Sequence, residues 1–66
     1  MRENLRNARK ALKLTQKEMA KKAFVSASHY CKIESGERVG DELFWDTMET
    51  VTGIDQRKLR EINEAF

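Results

Sequence analysis

The sequence predicts an all-α domain of five short helices, and three observations carry that prediction. Apolar residues recur three and four positions apart in several segments, and no alternating run is long enough to argue a strand. Proline is absent, and the three glycines stand at 36, 40 and 53, so nothing comparable interrupts the first half of the chain. Helix starts carry capping patterns, the plainest being Thr15-x-x-Glu18.

The first helix is expected over Asn4 to Lys13, where Leu5, Ala8 and Leu12 fall on one face. The second starts at Thr15. Thr15 and Glu18 form a capping box in which each side chain takes an otherwise unbonded amide of the other residue. Leu14 and Met19 occupy the positions of a hydrophobic staple, and Met19, Ala20 and Ala23 form the inner face. The third helix is capped by Ser26, with Val25 and Tyr30 as its staple and Tyr30 and Ile33 facing inward; Gly36 ends it in the left-handed conformation. Only Phe24, Val25 and the cap separate helices two and three. Helices joined so tightly must cross steeply, as in a helix-turn-helix. The fourth helix is expected over Asp41 to Val51, with Leu43, Phe44, Trp45, Met48 and Val51 apolar and Gly53 as its stop. The cluster at 43 to 45 is too wide for one stripe, so one member should be partly exposed. The fifth begins at Asp55, with Ile54 and Leu59 as staple and Leu59, Ile62 and Phe66 inside.

At 66 residues the chain is expected to be one domain over residues 1–66. A domain so small buries a limited share of its surface and is marginal alone. One cysteine and one histidine exclude an internal disulfide and leave no metal-ligand cluster. Packed helices, alone or with dimerisation, must hold it. No apolar run reaches membrane-spanning length, and the charged opening has no signal-peptide pattern. Together with the free cysteine, this makes a cytoplasmic protein the expectation. The charge is uneven. Residues 1–38 hold ten basic against four acidic side chains, and residues 39–66 hold three against seven. That asymmetry suits a polyanionic partner for the first half, and equally an unevenly solvated surface. An enzyme is not expected. His29 and Cys31 are two apart and face different directions on a helix, so they make no nucleophile–base pair. No paired carboxylates, phosphate-binding glycine loop or cofactor motif is present.

Residues 14–38, LTQKEMAKKAFVSASHYCKIESGER, resemble the helix-turn-helix of the lambdoid phage repressor and Cro family, the XRE family. The matching positions are Gln16 opening the second helix, Ala20 inside it, the turn at Phe24-Val25, and Ile33, Glu34 and Gly36 closing the third. Arg9 matches an arginine of the family's first helix. The resemblance implies a lambda-repressor-like fold of bacterial or phage origin, acting as a DNA-binding repressor or regulator. It also implies an ion pair between Arg9 and Glu34 that sets the angle of the reading helix. If the pair is buried, removing one partner costs ~3–5 kcal/mol; as a loose surface pair it contributes at most ~1 kcal/mol. Three departures stand out. Phe24 occupies a turn position where the family commonly has glycine with φ > 0, so its ring should pack on helix one or four, or the turn should differ. Tyr30 replaces an aliphatic residue, and its hydroxyl needs a partner or the surface. Asp46 and Glu49 stand where apolar residues are common.

The third helix turns Ala27, Ser28, Cys31, Lys32 and Ser35 away from its inner face. The resemblance places base reading on Ala27, Ser28 and Lys32. Their chemistry fits the major groove: Ala27 suits a thymine methyl, Ser28 donates or accepts, and Lys32 reaches guanine O6/N7 or, equally, a phosphate. Gln16 and Ser26 lie at helix starts, where a phosphate meets unbonded amides. His29 is expected at the DNA backbone or solvent. Lys10, Lys13, Lys17 and Arg38 are the other backbone candidates, although exposed charges also serve only to solvate. Cys31 beside DNA would be a redox switch, though a lone helix cysteine is usually inert. The expected partner is a double-stranded DNA operator bound by a homodimer, with control by concentration or a regulatory protein partner. No membrane, cofactor or small-molecule substrate is expected. The rival reading is a protein-docking module of the same fold, antirepressor- or antitoxin-like, using the acidic second half with Trp45 and Phe66 exposed.

Overall fold

The computed structural model describes residues 1–63. Among them five α-helices follow one another: α1 (Glu3–Ala11), α2 (Gln16–Lys22), α3 (Ala27–Ser35), α4 (Glu42–Thr52) and α5 (Gln56–Arg60). Four of the five begin on a side-chain cap. Thr15 Oγ1 accepts from the Glu18 N–H at 3.1 Å, and Glu18 returns the bond to the Thr15 N–H at 2.9 Å. Ser26 accepts from the His29 N–H, Asp41 from Phe44 and Asp55 from Arg57. These bonds satisfy amides that the first turn of a helix leaves unbonded. Gly36 (φ 92°) and Gly53 (φ 72°) end α3 and α4 in the left-handed region. After Gly36 the Glu37 N–H returns to the Lys32 carbonyl at 2.9 Å, closing a Schellman motif.

The core contains Leu5 and Ala8 of α1, Met19 and Ala20 of α2 with Ala23 just past its end, Tyr30 and Ile33 of α3, Phe44, Trp45 and Met48 of α4, and Leu59 of α5. Leu14, Val25, Val51 and Ile54 pack against it half-buried. α2 packs on α3, α4 on α5, and α1 on both α5 and α3. Of the 43 to 45 cluster, Leu43 is the member left outside, at 70% exposure. Gly40 (φ 79°) brings the α3–α4 loop down onto Trp45, where a Cβ would meet the indole nitrogen at 3.2 Å. The indole N–H then donates to the Val39 carbonyl at 2.9 Å.

Several expectations are corrected. Trp45 is buried at 1% exposure and is no docking residue. α1 stops at Ala11 rather than Lys13, because Lys13 adopts φ 58° and cannot continue the helix. α5 is only five residues long. The Lys58 and Arg60 carbonyls, which would otherwise accept from a further turn, accept from the Asn4 and Arg2 side chains. Ile62, expected inside, is therefore 52% exposed; Phe66 lies outside the described residues. Asp46 and Glu49 instead bond the start of α5: Glu49 caps it by accepting from the Gln56 N–H at 3.0 Å, and Asp46 accepts from the Gln56 side-chain amide at 2.8 Å.

Phe24 adopts φ 59°, yet its ring packs on neither α1 nor α4 and is 88% exposed. The turn keeps the conformation that glycine favours, and the side chain gains no burial in return. Phe24→Gly is therefore expected to stabilise the fold by about 1 kcal/mol. Relief of ~1–3 kcal/mol of backbone strain outweighs the ~0.5–1 kcal/mol that glycine loses through unfolded-state entropy. A urea midpoint that fell in the variant would contradict this account.

Candidate nucleic-acid interface

α3 divides cleanly into two faces. Tyr30, Ile33 and Glu34 are buried, while Ala27, Ser28, Cys31, Lys32 and Ser35 are exposed. At 3.6 residues per turn those five exposed residues span an arc of about 140°. His29 is half-buried between the two faces. Ser26 is exposed and its oxygen accepts from His29, which leaves its hydroxyl proton for an outside acceptor. Ser35 donates back to the Lys32 carbonyl at 2.9 Å and so shields part of the helix end.

The inward face is fixed by charge as well as by packing. Arg9 Nε lies 3.0 Å from Glu34 Oε2, and Arg9 Nη2 donates to Oε1 at 3.3 Å, a two-point contact. The side chains are 11% and 2% exposed, so this is a buried pair. Arg9 Nη1 also donates to the Leu14 carbonyl at 2.8 Å, tying the α1–α2 turn to the same group. Gln16 does not stand clear in the first turn of α2. Its amide donates to Glu34 Oε1 at 3.1 Å and keeps a second N–H for another acceptor. The Tyr30 hydroxyl belongs to this buried cluster. Burial first, then the Glu34 carboxylate, raise its pKa, but among the described residues the hydroxyl makes no hydrogen bond. Its expected partner is thus missing, and the ring's apolar contacts, including Phe44 at 6.0 Å, hold it instead.

Desolvation pushes the Glu34 carboxyl up. The hydrogen bonds from Arg9 and Gln16, with the Arg9 charge, outweigh it and hold the group below its ordinary value of 4.5. A depressed folded pKa contributes stability that is present above the unfolded pKa and lost as pH falls through the folded one. Melting temperature should therefore fall as acidification proceeds below pH ~4.5. Glu34→Gln should show a flatter acid limb, because its position 34 no longer titrates. Surface Glu18 and Asp55, lowered chiefly by their bonds to Thr15 and Arg57, add a component common to both proteins. Equal acid slopes by circular dichroism would refute the assignment to Glu34.

Lys10, Lys13, Lys17, Lys32 and Arg38 are exposed, and none forms an ion pair within the described residues. Sequence reasoning missed Arg2, which is 4% exposed and donates to the Ile33 and Arg38 carbonyls at 2.6 and 2.8 Å. An open groove between α1 and α5, lined by Asn4, Ala8, Ile54, Lys58 and others, contains no residue of α3.

A capped helix, a three-residue turn and a second capped helix with one bare polar face make up residues 15 to 36, and a family model described as Helix-turn-helix matches residues 5–45. The chain belongs to the helix-turn-helix family, of the Cro and repressor type. It is a DNA-binding regulator in that general sense, with a five-helix lambda-repressor-like fold. Within the helix-turn-helix, α2 supports and α3 faces outward. Comparison with curated proteins and with solved structures returned no match. No helix among the described residues is long and apolar enough to cross a membrane.

Proposed function

We propose that this chain is a sequence-specific transcriptional repressor that lays α3 in the major groove of an operator. The observation that carries this reading is the bare arc of Ala27, Ser28, Cys31 and Lys32 on a helix whose opposite face is locked by the buried Arg9–Glu34 pair. Ala27, Ser28 and Lys32 read base edges, with small residues at the first turn allowing close approach. Ser26, Lys17, Lys10, Lys13, His29 and Arg38 meet the phosphates. Gln16, anchored on Glu34, offers its remaining N–H to the backbone from the start of α2. The protein works in the cytoplasm as a homodimer on a palindrome with half-sites ~34 Å apart. The domain's extents of 31 × 24 × 23 Å are compatible with two copies side by side at that spacing. Occupying a promoter then blocks transcription.

The test is a selection of bound sequences from random duplexes, repeated at two salt concentrations. A palindromic consensus should emerge, with affinity falling steeply as salt rises. Ser28→Ala or Lys32→Ala should relax preference at one position, each at ~1–3 kcal/mol of discrimination, whereas Lys17→Ala should weaken all duplexes alike. A docking module would instead bind duplexes weakly and without consensus. With Trp45 buried, that rival retains Val39 and Leu43, 71% and 70% exposed, as its apolar surface.

A further inference from the structure

α3 is gripped at two points from the first segment of the chain. Arg9 holds the Glu34 carboxylate. Arg2 holds the carboxyl-terminal end. Its main-chain N–H donates to the Glu34 carbonyl at 2.8 Å. Its Nη1 reaches the Ile33 and Arg38 carbonyls, and its Nε reaches the Arg60 carbonyl of α5 at 3.0 Å. The guanidinium lies 5.3 Å from the centroid of the Trp45 ring of α4. Arg2 thus joins α3, the α3–α4 loop, α4 and α5 from the amino end of α1.

The chemistry of this placement is unusual. No ion pair links Arg2 to a carboxylate among the described residues. Its charged neighbour is Arg60, whose guanidinium lies 5.5 Å from the same indole centroid. Burial, and then Arg60, lower the Arg2 pKa, but a guanidinium stays charged near neutrality. A buried charge without a counter-ion is costly. The carbonyls at the negative end of α3 and the indole face offset that cost. An apolar side chain would fill the same space without it. What the guanidinium adds is direction: a rigid fork aimed at carbonyls of different segments fixes their mutual angle, which a lysine point charge cannot do.

We infer that Arg2 is a positioning residue for the recognition helix, setting the direction of α3 from its carboxyl-terminal end while Arg9 fixes its inner face. The inference rests on reading α3 as the base-reading helix. It assigns control of the Ala27, Ser28 and Lys32 geometry to a residue outside the matched span of 5–45.

The experiment compares the full chain with Arg2→Lys and Arg2→Met at a temperature where circular dichroism finds each folded. Without DNA, backbone residual dipolar couplings report the direction of α3 against α1 and α4. With DNA, the affinity ratio between the selected duplex and a scrambled one reports base reading. Both variants should reorient α3 and lower that ratio at least about tenfold, the scale of one lost base contact. The salt dependence of scrambled-duplex binding should be unchanged. A merely structural Arg2 would lower the melting temperature and leave both readouts alone, and that result overturns the inference. So does a reoriented α3 with an unchanged ratio. If Arg2→Met fails to fold, Arg2→Lys decides by the same criteria. If the unmodified protein shows no sequence preference, the base-reading proposal fails. The couplings then decide the role of Arg2 alone: a turned α3 supports it and an unmoved α3 removes it.

Discussion

Replacing Arg9 with methionine is expected to lower the stability of the fold by about 3–5 kcal/mol. The loss does not measure a strong ion pair. It measures what is left behind: a carboxylate on Glu34 at 1% exposure whose side chain keeps, among the described residues, only the Gln16 amide as a donor. In a low-dielectric setting such a group either stays charged at high cost or takes up a proton. The variant should therefore gain stability on mild acidification, opposite in sign to the parent protein, because the Glu34 pKa rises once Arg9 is gone. The double variant Arg9→Met/Glu34→Met should recover much of the loss, since apolar replacement of a whole buried pair is often close to neutral. It will still lack the Arg9 bond to the Leu14 carbonyl, so recovery should be incomplete. Urea unfolding of the three proteins checks this. A single-variant loss under about 1 kcal/mol would assign the pair to the weak surface class.

The same pair shows why part of this molecule is legible in the sequence and part is not. Capping boxes, staples and helix-ending glycines act within a few residues, so Thr15, Ser26, Asp41, Gly36 and Gly53 mark their helices locally. The inward faces follow from helical spacing, as Met19, Ala20, Ala23, Tyr30 and Ile33 illustrate. The ends of α1 and α5 escape this logic. Lys13 turns left-handed although nothing in its side chain requires it, and α5 stops because carbonyls near its end bond to Asn4 and Arg2. Arg2 itself is the least legible residue. Its partners are main-chain carbonyls 31, 36 and 58 positions away, and a carbonyl leaves no mark in the sequence. In composition it counts as one more surface cation. Phe24 is hidden for another reason: the backbone need for φ > 0 can be anticipated at the turn, but the ring's fate cannot. Of the candidate interface, the outward face of α3 is legible from periodicity, whereas the redirection of Gln16 toward Glu34 depends on how α2 crosses α3.

Trp45→Ala is the second large loss expected, about 3–5 kcal/mol. That is enough to leave little folded protein at room temperature in a domain of 66 residues. The indole is 1% exposed and packs edge-on against Phe44 at 4.9 Å. It also hydrogen-bonds the Val39 carbonyl and carries the Arg2 guanidinium on its ring. Truncation therefore opens a cavity and removes the surface on which a buried charge rests. Trp45→Phe separates these effects. It keeps an aromatic ring but leaves the Val39 carbonyl without its donor, so its loss should be nearer ~1–3 kcal/mol. Chemical unfolding followed by circular dichroism can rank the two variants, since each removes the chain's single tryptophan and with it the natural fluorescent probe. Equal losses for alanine and phenylalanine would mean that the indole N–H bond, rather than ring volume and the arginine contact, holds the α3–α4 loop to the core. Trp45 of α4 would then not be the platform that carries the Arg2 guanidinium.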